Sequence, residues 1–124
     1  NIEVKFPLIE DIKMEVAKLY GMLHEKDSDT NAVRAVFIIN PEGIIKTIMY
    51  YPSSTGRNID EIIRVIKSLQ KSAAEGIATP ANWREGEDVV LPPPGSCGVA
   101  KDRVEANEDD MYCLDWFLCF KKQK

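Results

Sequence analysis

Cys113 and Cys119 stand six positions apart in Tyr112-Cys113-Leu114-Asp115-Trp116-Phe117-Leu118-Cys119. Two thiols among large aromatic anchors are more than a merely solubilising tail carries. On a helix, six positions amount to about 600° of rotation, so the two sulfurs would point apart. A loop through Leu114–Leu118, with Asp115 as turn former, would instead bring them together. The residues leave three chemistries open: inert, partly buried thiols, metal ligands, or a redox thiol that attacks a sulfenate on another chain. Metal has the weakest case, because one pair plus the single His24 matches no recognised spacing.

A thiol needs a cation to be reactive, and two arginines are placed to supply one. Arg34 is the second residue of the otherwise apolar run Val33-Arg34-Ala35-Val36-Phe37-Ile38-Ile39. Its plain reading is a guanidinium snorkelling from a strand edge. Its functional reading is a fixed cation facing a cleft. A free thiol with a pKa of about 8.5 is only about 3% ionised at pH 7, and a nearby guanidinium lowers that pKa. The same planar donors can hydrogen-bond oxygens while a bond between them breaks. Arg57 precedes a helix start, where a cation is electrostatically disfavoured. Such a placement reads either as a solvated residue or as one held there for function. Cys97, in Pro-Gly-Ser-Cys-Gly, has no assignable role. His24 reads as exposed, and the acidic run from Glu105 to Asp110 reads as a solvated face without the oxygen spacing of a calcium loop. Tyr50 and Tyr51 read as packing residues, with one of them a candidate to border the pocket.

The elements that must position these groups follow from periodicity and punctuation. Asn1–Ile9 alternates Ile2, Val4 and Phe6 before Pro7 and reads as a strand. Glu10–Tyr20 is a helix candidate ended by Gly21. Val33–Ile39 and Ile44–Tyr50, joined by Asn40-Pro41-Glu42-Gly43, predict a β-hairpin. Asn58 reads as an N-cap with Glu61 completing a capping box. Ile59, Ile62, Ile63, Val65, Ile66 and Leu69 form a helical core stripe reaching about Ala74, with Gly76 as terminator. Beyond it, Pro80, Pro92, Pro93 and Pro94 leave little room for regular structure. Ile77–Lys124 therefore reads as an extended arm, with a short helix across Asp102–Met111. An arm bearing Trp83, Val89, Val90, Leu91, Trp116, Phe117 and Phe120 needs a surface to pack on, and a partner subunit is the expected one.

At 124 residues, 44% hydrophobic and 29% charged, the chain has the size and composition of one modest globular domain. A net charge of −4 argues against nucleic acid and anionic membranes as main partners. No apolar run approaches the roughly 20 residues of a membrane span, and no signal peptide opens the sequence. Three cysteines without a dense framework favour a reducing, cytoplasmic setting.

Taken in order, Val33–Asn40, Met49-Tyr50-Tyr51-Pro52, Gly56–Ile62, Trp83–Pro94 and the cysteine segment resemble the C-terminal half of a one-cysteine-type peroxiredoxin. The archaeal and anaerobe thioredoxin-dependent members are the most similar. The resemblance implies an α/β fold: the C-terminal half of a thioredoxin-like domain over 1–76, followed by a dimerisation arm over 77–124. It implies reduction of hydrogen peroxide and alkyl hydroperoxides, with Arg34 and Arg57 lining the peroxide pocket. Cys119, with Cys113 as the alternative, would resolve the sulfenic acid. It further implies a thioredoxin-like reductant, a homodimer or larger ring, and no metal or other cofactor. The family's peroxidatic Pro-x-x-x-Thr/Ser-x-x-Cys loop has no counterpart here. Pro92–Cys97 comes nearest but lacks the hydroxyl residue and the spacing. With Asn1 rather than Met in first position, a truncated chain is the expectation, inactive by itself. The rival reading is a non-catalytic association module, a half-domain and arm that pairs with another chain.

Overall fold

The structure, a computed structural model, describes residues 3–23, 32–105 and 110–123. They form two compact units that divide at Arg57/Asn58. The division thus falls before the long helix, rather than after Gly76 where the arm was expected to begin.

The first unit is built around a hairpin. A five-residue helix α1, Glu15–Leu19, precedes strands β1, Arg34–Ile39, and β2, Ile45–Tyr51. The strands pair antiparallel from Arg34↔Tyr51 to Ile39↔Ile45, with a bulge between Ile38 and Ile39. The turn is the one its residues call for: Gly43 takes φ 78°, and the Asn40 side chain accepts the Ile44 amide at 2.8 Å. Helix α1 is shorter than the expected Glu10–Tyr20, because the chain turns left-handed at Met14. Asp11 supplies the missing cap, accepting the amides of Val16 (3.1 Å) and Ala17 (2.8 Å). Chiefly the Ala17 amide holds the Asp11 carboxyl below its ordinary pKa. Tyr20, Phe37 and Tyr50 pack edge-on, with centroids 4.9 and 5.8 Å apart, and the Tyr50 hydroxyl donates to the Tyr20 carbonyl. The strand expected over Asn1–Ile9 does not form over the described residues 3–9. Its alternation finds no neighbouring strand, and Val4 and Phe6 stay exposed.

The second unit opens with α2, Ile59–Glu75. Its caps match their sequence signals. Asn58 accepts the Glu61 amide at 3.1 Å, and Gly76 closes the helix in the left-handed conformation. The capping box is only half made, because the Glu61 carboxylate forks onto Arg64 at 2.6 and 2.8 Å. The isoleucine stripe is not the core it was expected to be. No residue of α2 is buried, and Ile59 is 59% exposed.

The largest departure lies beyond Gly76. Ile77–Lys124 is not an extended arm without regular structure. Strands β3, Val89–Val90, β4, Met111–Asp115, and β5, Leu118–Lys121, form an antiparallel sheet in the order β3-β5-β4, with helix α3 over Cys97–Glu105. The prolines at 92–94 do not prevent this, because they fall in the connection between β3 and α3, where no ladder amide is required. The helix expected across Asp102–Met111 lies earlier. It ends by Glu105, residues 106–109 are outside the described set, and Met111 already begins a strand. Trp83, Val89, Ala100 and Cys119 form the buried core of this unit. The Trp83 indole donates to the Glu87 carbonyl at 2.9 Å. Trp83 and Val89, expected as anchors on a partner subunit, are thus already enclosed by their own unit.

Candidate functional site

Each pair of candidate residues falls within one unit: Arg34 and Arg57 in the first, Cys113 and Cys119 in the second. Arg34 opens β1, and its guanidinium Nη1 donates to the Thr55 carbonyl at 3.0 Å across the end of the hairpin. Thr55 belongs to the turn at 52–55, closed by its own amide bonding the Pro52 carbonyl at 2.9 Å. The guanidinium is therefore pinned to the loop that carries Arg57, two residues beyond. Arg34 has four further N–H donors that this bond does not use. Arg57 is exposed immediately before the Asn58 cap.

The thiols meet because β4 and β5 form a tight hairpin. Cys113 and Cys119 are register partners, with Cα atoms 4.0 Å apart, and are joined as a disulfide. This is closer than the roughly 4.5 Å of the narrower antiparallel pair. Asp115 does what a turn former does, its Oδ1 accepting the Trp116 amide at 2.7 Å. The two sulfurs have different surroundings. Cys119 is 1% exposed on the central strand, and its sulfur lies 3.9 Å from the Asp115 carbonyl oxygen. Cys113 is half-buried on the edge strand, its sulfur 3.8 Å from the Arg103 carbonyl oxygen at the end of α3. Arg103 in turn donates to the Pro92 carbonyl at 2.6 Å and ties α3 to the connection after β3.

Sequence reasoning missed Arg103. Its tie to Cys113 runs through a main-chain carbonyl, which every residue type possesses, so nothing in the side-chain pattern marks it. Tyr112, beside the disulfide strand pair, stacks on Phe120 at 5.2 Å. Partial desolvation, aided by Asp88, raises its phenol above the ordinary value. Cys97 is an exposed free thiol at the start of α3. It borders an open, mainly apolar hollow of about 570 Å³ with Pro94, Ala100, Lys101 and Trp116. His24 and most of the acidic run lie outside the described residues. No helix among the described residues is long and apolar enough to cross a membrane.

Two family models match the chain. The C-terminal domain of 1-Cys peroxiredoxin matches residues 68–107, and the AhpC/TSA family matches residues 1–48. A peroxiredoxin of Methanosarcina mazei is 61% identical over 98% of this chain and 56% of its own length. One of Archaeoglobus fulgidus is 46% identical over 98% of this chain and 59% of its own. The chain thus spans little more than half the length of the curated relatives it matches. Among solved structures, a mutant of peroxiredoxin 6 of Arenicola marina superposes with a TM-score of 0.73 at 33% identity, covering 92% of this chain and 54% of that one. A yeast mitochondrial 1-Cys peroxiredoxin, described with its thiol-resolving mechanism via glutathione and thioredoxin systems, gives 0.71 at 36% identity, covering 89% and 53%. The α/β architecture, the matches at both ends and the identities along nearly the whole sequence agree: the chain is similar throughout to peroxiredoxins, and its residues 68–107 match the C-terminal domain of the 1-Cys type.

Proposed function

We propose that this chain forms part of a thiol-dependent peroxidase that reduces hydrogen peroxide and alkyl hydroperoxides. Arg34 and Arg57 polarise the peroxide and lower the pKa of a peroxidatic thiol contributed from outside these 124 residues. Cys119, or in its place the less buried Cys113, resolves the resulting sulfenic acid, and a thioredoxin-like protein restores the thiols. The protein works in the cytoplasm as a homodimer or larger ring, with residues 77–124 as the associating region. The observation that supports the reading is the apposition of Cys113 and Cys119, a thiol pair that can hold two electrons and release them to a sulfenic acid. The Arg34 guanidinium, held by the Thr55 carbonyl with its other donors unused by that bond, supports the electrostatic part.

The test is Arg34→Lys in the peroxidase of which this chain is proposed to be part. Lysine keeps the charge and loses the planar donor set. Removing one preorganised donor typically costs about 10²–10³ in rate. Stopped-flow oxidation should slow by about that factor, and the pKa of the attacking thiol should rise, with the circular dichroism spectrum unchanged. A rate near wild type would make Arg34 structural and end the assignment. The second reading, a non-catalytic association module, is favoured by the exposed apolar residues of β2 and α2, among them Ile45, Ile48, Ile59 and Ile63. Wild-type peroxide turnover by the intact protein would exclude it.

A further inference from the structure

We propose that an external thiol reductant opens the Cys113–Cys119 disulfide at the Cys113 sulfur, and that Cys119 is the leaving thiol. The inference rests on the pair being redox-active, as the proposed function holds, but not on peroxide chemistry.

A thiolate must reach one sulfur along the line of the S–S bond, so access to each sulfur decides which is attacked. The sheet makes that access unequal. Its order, β3-β5-β4, places β5 in the centre and β4 at an edge. Cys119 is on β5, bonded to a neighbour on both sides, and its residue is 1% exposed among the core formed with Trp83 and Val89. Its main-chain carbonyl also accepts the Leu91 amide at 2.9 Å, which extends the cover on the β3 side. Cys113 is on β4, whose outer edge pairs with no strand among the described residues, and it is only half-buried. The Asp115 carbonyl, 3.9 Å from the Cys119 sulfur, is placed to accept the new S–H once that sulfur is protonated.

The electron balance is that of thiol–disulfide exchange. The reductant's thiolate forms a bond to the Cys113 sulfur, and the S–S bond breaks with its electron pair on Cys119, which takes up a proton. A second thiol of the reductant then displaces Cys113 as its thiol. One dithiol is oxidised to a disulfide, and Cys113 and Cys119 are both reduced.

The experiment uses the whole chain carrying Cys97→Ser, oxidised beforehand, with glutathione as the attacking thiol. Samples are acid-quenched at early times, alkylated in denaturant and mapped by peptide mass spectrometry. Glutathione should be found on Cys113, with Cys119 alkylated, in about tenfold excess over the reverse product, as expected for an edge sulfur against a sheltered one. Equal or greater modification of Cys119 would overturn the proposal, and so would an oxidised chain in which Cys113 and Cys119 are not joined. Because no peroxide enters this assay, its failure is separable from failure of the Arg34→Lys test.

Discussion

Val89 is wholly buried on a two-residue strand, whereas Ile48, inside the seven-residue strand β2, is 45% exposed. The short strand succeeds because its unit supplies a third strand, a helix and an indole around it. The long strand belongs to a two-stranded ribbon, a structure of marginal stability by itself in water. Its face shows Ile39, Ile45 and Ile48 at 45% exposure each. Apolar patterning says that a residue seeks cover. Whether cover exists depends on how many layers the same stretch of chain provides. The two candidate pairs follow the same division: Arg34 and Arg57 belong to the unit of the ribbon, and the thiols join the edge and central strands of the second unit's sheet.

If this contrast is right, the most damaging change is Trp83→Ala. It removes the largest buried side chain and leaves the Glu87 carbonyl without its indole donor. A loss of about 3–5 kcal/mol is expected for a buried tryptophan. Trp116, at the β4–β5 turn, remains as a fluorescence reporter in urea titrations. A loss below about 1 kcal/mol would mean that the second unit does not depend on its own core.

Reducing the Cys113–Cys119 bond should come next. For the short loop it closes, chain-entropy arguments give about 2–3 kcal/mol. Denaturation of oxidised and reduced protein, compared at one pH, measures it. Equal midpoints would show that the hairpin owes its register to the ladder alone.

Much of this second unit was illegible in the sequence, and the reason is local. Pro92, Pro93 and Pro94 read as breakers, yet they occupy a connection, and the strands flanking it are two to five residues long, too short to show a period. The first hairpin was legible because two β-branched runs flank Asn40-Pro41-Glu42-Gly43, and α2 because Asn58 and Gly76 are unambiguous punctuation. Cys113 and Cys119 could be singled out as chemistry-bearing, but six positions of separation fit a loop as well as a cross-strand pair. Arg34 was identifiable as out of place in an apolar run. Its partner was not, because the Thr55 carbonyl is 21 positions away and carries no residue-type signature.

Gly76→Ala tests one of these legible signals. The glycine holds φ 64°, and a Cβ there would meet nothing within 4 Å. The cost is therefore purely one of backbone conformation, about 1–2 kcal/mol. Acidification should act more gently and on both units. Asp11, Glu61 and Glu85 have depressed pKa values, from the Ala17 amide, the Arg64 guanidinium and the Lys67 ammonium respectively. Their stabilising contribution is present above the ordinary carboxylate range of about 4 and is lost as pH falls through the depressed values. Stability measured from pH 6 down to about pH 2 should decline in that lower window. Asp11→Asn should remove part of the decline.

The smallest effect discriminates best. Ile48→Thr keeps a β-branched side chain suited to a strand, and at a half-open position the change should fall within about 0.5 kcal/mol. The same change at Val89 buries a hydroxyl in a closed core and should cost about 1–3 kcal/mol. The pair of variants therefore measures cover directly, independent of hydrophobicity or strand length. If Ile48→Thr costs as much as Val89→Thr, the ribbon face is covered in solution. Repeating the titration over a range of protein concentrations would then identify the cover: a penalty that grows with concentration belongs to a second copy of the chain, because association stabilises by mass action. A penalty independent of concentration would place the cover within the chain itself, and the contrast between the two units would fall.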